Sequence, residues 1–151
     1  MMRNARRDSI LRWRLTVTLA QRRVLQDFET NQFPALKTKI DEAAGSAIPV
    51  EVNWESLAVP NEERLYAESW TQVYFEPLIA ALKDLTRDDM GREAAQNIKK
   101  IVIQNTKDCR YGSCWASFAD GVLTLDHQAV ENAYDVDGRA KGLTSVLEQS
   151  L

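Results

Sequence analysis

KIVIQNTKDCRYGSCWASFADGVLTLDH, residues 100–127, decides how this chain folds. Ile101, Val102 and Ile103 form a β-branched run that suits a pleated strand better than a helix. Cys114, Ala116 and Phe118 alternate with Trp115, Ser117 and Ala119, the two-residue period of a strand with one face buried. Asp120-Gly121 supplies the dipeptide favoured in a type I′ hairpin, where both central residues need positive φ, and Val122-Leu123-Thr124-Leu125 continues beyond it. Asn105 to Gly112 is rich in turn formers and charge. The stretch therefore predicts a three-stranded antiparallel β-meander, and it carries both cysteines and the only histidine, His127.

Upstream, helical spacing dominates. Tyr66, Trp70, Val73, Tyr74, Leu78, Ala81, Leu82 and Leu85 recur at steps of three and four, which predicts a core helix entered from Asn61 and kinked near Phe75 by Pro77. A second core helix carrying Met90, Ala94 and Ile98 starts at Thr86 to Asp89, where acidic residues favour the positive helix end. Before these, Val50, Val52 and Trp54 alternate with Glu51 and Asn53 as in a half-buried strand. Earlier still, Val24, Phe28, Leu36, Ile40 and Ala43 predict a helical segment broken around Gln32 to Pro34 and stopped at Gly45. Downstream, Asp135 or Asp137 caps a last amphipathic helix through Ala140, Leu143, Val146 and Leu147. The reading is α+β: a helical N-terminal part, one strand, two core helices, the meander and a C-terminal helix, with helices on one sheet face.

A chain of 151 residues is the usual size of one domain, and its composition is that of an ordinary globular protein without a membrane-spanning apolar run. Charge is uneven. Residues 1–23 carry seven arginines against Asp8, a charge of +6, so the remainder holds −9 of the formal net −3. We therefore divide the chain into a basic arm, 1–23, and a single α+β domain, 24–151. The arm reads either as a loose solvated start or as an anion-binding segment for nucleic acid or a membrane surface. Leu15 to Ala20 is too short and too polar for a secretory signal, which makes the cytoplasm the expected compartment and Cys109 and Cys114 expected thiols.

Gly112-Ser113-Cys114-Trp115-Ala116 resembles the stretch around the nucleophile of papain-like cysteine proteases. The resemblance covers five residues. Tyr111 replaces that pattern's first cysteine, and His127 follows Cys114 by 13 positions where the family has about 130. A strand at Cys114 also lacks the helix dipole that helps form a thiolate. Cys109, Cys114 and His127 have the spacing of the first three ligands of a zinc finger, but Glu131, Asn132 and Ala133 stand where the fourth ligand belongs. Asp135-Val136-Asp137-Gly138 resembles the start of a calcium loop, yet aligning Gly138 with that loop's glycine puts Ala133 and Thr144 at the essential ligand positions. Phosphate-loop, dinucleotide, HExxH and GxSxG motifs are absent, so the sequence implies no cofactor and no metal.

These observations favour a small non-enzymatic protein-binding module of the adaptor, accessory or immunity type. Its interface candidates are Arg110, Tyr111 and Trp115. With Cys114 and Phe118 facing the core, Trp115 would face outward and complete an arginine–aromatic cluster of the kind found at interface hot spots. Two alternatives accompany this reading: a metal-dependent or thiol-based enzyme or zinc module at Cys109, Cys114 and His127, and anion binding through the arginine arm.

Overall fold

A computed structural model describes residues 17–151. Thr18 opens the first helix with a reciprocal cap: its hydroxyl accepts from the Gln21 amide at 3.1 Å, and the Gln21 side chain accepts from the Thr18 amide at 2.9 Å. Helix α1 (Leu19–Asp27) thus begins inside the stretch assigned to the basic arm, with Arg22 and Arg23 exposed on it. The arginines of residues 1–16 lie outside the described residues. Helix α1 passes through a π-helical turn, Phe28–Gln32, into α2 (Phe33–Ala44), which ends at Gly45 with φ 76°.

Strand β1 (Val50–Val52) follows. It is shorter than the alternation to Trp54 predicts, because the Asn53 side chain accepts from the Ser56 amide at 3.4 Å and starts a one-turn helix, α3 (Trp54–Leu57). A 3-10 turn at Glu63–Leu65 leads into α4 (Tyr66–Trp70), a second π turn at Thr71–Phe75, and α5 (Glu76–Leu85). Short α6 (Asp89–Ala95) is capped by Asp88, whose carboxylate accepts from the Gly91 amide at 2.8 Å. Then come β2 (Lys100–Gln104), β3 (Ala116–Ala119), β4 (Val122–Asp126) and α7 (Val136–Ser150), the last capped by Asp135 on the Gly138 amide at 3.2 Å.

A π turn stands at each position where a break or kink is expected, and the two share one cause. The residue before each proline sends its amide back five positions, Phe33 to the Phe28 carbonyl and Glu76 to the Thr71 carbonyl. Pro34 and Pro77 have no amide to give, so the two carbonyls between lose their helical partners.

The fold is α+β, but the sheet is mixed and the antiparallel meander is corrected. Its order is β1-β2-β4-β3, with β1 parallel to β2 and β2 parallel to β4. Only β3 and β4 form an antiparallel hairpin, joined by Asp120 and Gly121 with φ of 53° and 79°. Parallel neighbours need a long connection, and residues 105–115 provide it by carrying the chain past β4 before β3 returns along the outer edge. Val50, Ile101, Leu123 and Phe118 align across the sheet, as do Val52, Ile103, Leu125 and Ala116. These two rows join the hydrophobic core. Phe28, Phe33, Trp54, Trp70 and Phe75 form an aromatic group with neighbouring ring centroids 5.2–5.9 Å apart. Among the described residues no helix is long and apolar enough to cross a membrane.

Candidate functional site

The end of β4 and the long connection meet in a polar cluster. The buried Asp126 carboxylate accepts from the Thr106 amide at 2.8 Å, the Lys107 amide at 3.3 Å, the Gln104 side chain at 3.1 Å and the Thr106 hydroxyl. Four donors to a buried carboxylate replace the water it has lost and fix the start of the connection. The next residue, His127, is fully buried. Its carbonyl accepts from the Tyr74 hydroxyl at 2.5 Å, and its Nδ1 lies 2.6 Å from the Gln128 carbonyl. A carbonyl only accepts, so Nδ1 carries a proton. Nε2 is buried without a hydrogen-bond partner. Burial pulls the imidazole below its ordinary pKa, against the opposing pull of the Gln128 carbonyl. Burial likewise raises the Tyr74 phenol, with the Asp126 charge adding to the effect, so its hydroxyl keeps its proton.

Cys109 and Cys114 form a disulfide with Cα atoms 5.9 Å apart, which corrects the expectation of free thiols. Crossing the turn places the two sulfurs in bonding range, and both lie within 3.5 Å of the Tyr111 carbonyl. The two halves differ in access: Cys109 is 5 % exposed, whereas Cys114 is a solvent-exposed residue. The turn is seated as well as bridged. A Cβ on Gly112 would overlap the Gly138 carbonyl, and one on Gly142 would overlap the Gly112 carbonyl, so these two glycines let the turn lie directly on α7. Asn132 donates to the Arg110 carbonyl at 2.9 Å, and the Gln128 amide donates to the Cys109 carbonyl at 2.7 Å.

Of the three predicted interface residues, Arg110 and Tyr111 are exposed, Tyr111 at 65 %. Trp115 is fully buried and is withdrawn from any surface. The alternation cannot be extended back to it, because β3 starts at Ala116 and Cys114 lies in the turn. The indole instead donates to the Arg139 carbonyl at 3.0 Å and meets the His127 ring edge-on, with centroids 6.2 Å apart.

Sequence reasoning missed Arg139, which is fully buried. It donates to the carbonyls of Val73 at 3.0 Å, Gln72 at 3.2 Å, Asn132 at 2.8 Å and Ala133 at 2.7 Å. The first two are the carbonyls that Pro77 leaves bare. Burial lowers the guanidinium pKa and the Asp135 charge opposes it; the group remains a cation held by carbonyl dipoles. A signal was available: Arg139 precedes Leu143 by four positions and Leu147 by eight, which puts it on the core stripe of its helix. Tyr134 was also missed. It is 84 % exposed, two residues beyond Asn132, on the loop bonded to the clasped turn.

In this structure both sulfurs are bonded to each other, and among the described residues no three His, Cys, Asp or Glu side chains could hold a metal ion. The zinc alternative therefore has no ligand set here. Hollows lie on the α2–α5 groove, on the α5–α7 groove and beside the hairpin turn, and none of these is lined by Cys109, Cys114 or His127. Compared with protein-family models, curated proteins and solved structures, the chain matches none of them.

Proposed function

We propose that this protein is a small non-enzymatic binding module of the adaptor, accessory or immunity type, whose partner is another protein. The contact surface is the clasped turn with Arg110 and Tyr111, extended by Tyr134 in place of Trp115. One observation carries this reading: Tyr111 and Tyr134, 65 % and 84 % exposed, project from two loops that are tied to each other and to the core. A large aromatic on fixed backbone loses little freedom when it docks, which makes such residues effective contact anchors. Arg110 pairs with Asp108 at 3.3 Å in solvent, an arrangement that water and salt screen and that a partner carboxylate could replace.

The test is site-specific photo-crosslinking in the host cell. A photoreactive residue replacing exposed Ser113 should give a discrete adduct with one protein, whereas the same group replacing Met90, which is 78 % exposed on α6, should not. No adduct from position 113, or the same adduct from position 90, would overturn the reading. The cytoplasm belongs to this proposal only if the disulfide can cycle, since a static bond favours an oxidising compartment.

A further inference from the structure

We propose that the Cys109–Cys114 bond is a thiol-exchange site, attacked at Cys114 by a low-molecular-weight thiol of the glutathione class. Thiol–disulfide exchange needs access to one sulfur and a leaving group on the other. The turn meets this condition on one side only, because Cys114 is exposed and Cys109 is 5 % exposed.

The surrounding backbone points the same way. The bond spans a sequence separation of only five, so it restrains a short loop and removes little freedom from the unfolded chain. That loop is held independently by the glycine contact of Gly112 with Gly138 and Gly142, by Asn132 on the Arg110 carbonyl and by Gln128 on the Cys109 carbonyl. Opening the bond therefore needs no unfolding. It also leaves Cys109 anchored beside Cys114, which makes closure as easy as opening.

The chemistry balances in two steps. A thiolate attacks the Cys114 sulfur; the protein S–S bond breaks, a mixed disulfide forms on Cys114, and the Cys109 sulfur departs with the electron pair and takes up a proton. Cys109 can then reverse the step by expelling the thiol. Alternatively, a second thiolate attacks the bound thiol's sulfur and leaves Cys114 as a thiolate. The net change is two small thiols oxidised to their disulfide and the protein disulfide reduced to two thiols.

The full chain, without denaturant, is equilibrated with mixtures of reduced and oxidised glutathione, quenched in acid, alkylated and mapped by mass spectrometry, while near-ultraviolet circular dichroism follows folding. Reduction should be complete and reversible with the tertiary signal retained. The single-cysteine variants fix the direction of attack: with oxidised glutathione, Cys109→Ser should form the adduct at Cys114 roughly tenfold faster than Cys114→Ser forms it at Cys109. A bond that resists reduced glutathione until the chain is unfolded would overturn the proposal, and so would equal rates for the two variants. If either variant fails to fold, the adduct on the wild-type chain decides: glutathione found on Cys114 supports the proposal, and glutathione found on Cys109 refutes it.

Discussion

Arg110 sits on the clasped turn and Arg139 beneath it, and water access accounts for how differently they are bound. Arg110 is solvent-exposed, with Asp108 as a loose partner at 3.3 Å. Arg139 has no exposure and donates to four backbone carbonyls, two of them left bare by Pro77. Asn132 joins the two levels: its side chain holds the Arg110 carbonyl, and its own carbonyl accepts from Arg139. The inner side ties the turn to the core. On the proposed reading, the outer side offers Arg110 and Tyr111 to a partner at little entropic cost.

The largest expected effect comes from breaking the inner side. Arg139→Met leaves buried carbonyls without donors and should lower unfolding free energy by about 3–5 kcal/mol, read from urea denaturation. If Pro77 is the reason for that arginine, adding Pro77→Ala to Arg139→Met supplies an amide for the Val73 carbonyl. The double variant should then be about 1 kcal/mol more stable than the sum of the single losses.

At the joint between the levels, Asn132 has φ 52°, a left-handed conformation that asparagine tolerates and alanine does not. Asn132→Ala should cost about 2 kcal/mol, because it loses both the bond to Arg110 and the backbone fit. Asn132→Gly keeps the fit and should cost about half as much; equal losses would mean that backbone conformation plays no part.

A smaller effect sharpens the inner side through pH. The His127 pKa is lowered by burial, so as pH falls the unfolded chain takes up the proton before the folded one does. This group leaves stability unchanged well above its ordinary 6.5, and stability is lost as pH falls below that value toward the folded pKa. Between pH 6.5 and 5.5 wild type should lose up to about 1 kcal/mol that His127→Gln does not lose. Parallel urea midpoints for the two proteins would show the difference, and identical slopes would count against a buried neutral imidazole.

Local signals were legible in the sequence. The Asp120-Gly121 turn, the stop at Gly45, the cap at Asp135 and the helix irregularities near both prolines each depend on a few neighbouring residues. Strand order was not legible, because Ile101 and Ile103 alternate identically whether the neighbours of β2 run parallel or antiparallel. Trp115 was misplaced by carrying strand parity one turn too far. The two prolines show what remains hidden even where the local reading succeeds. Glu29 and Thr30 near Pro34 are exposed, and water can serve their carbonyls; Val73 near Pro77 is buried, and only a distant arginine can serve its carbonyl. Which bend needs a partner depends on packing that no short stretch encodes.

The division between the two sides is tested most directly by the Tyr111→Ala/Tyr134→Ala double variant, with urea unfolding measured beside crosslinking from position 113. The account predicts that stability stays within about 0.5 kcal/mol of wild type while the crosslinked adduct disappears. A fall in stability of several kcal/mol, or an adduct that survives the loss of both tyrosines, would contradict it.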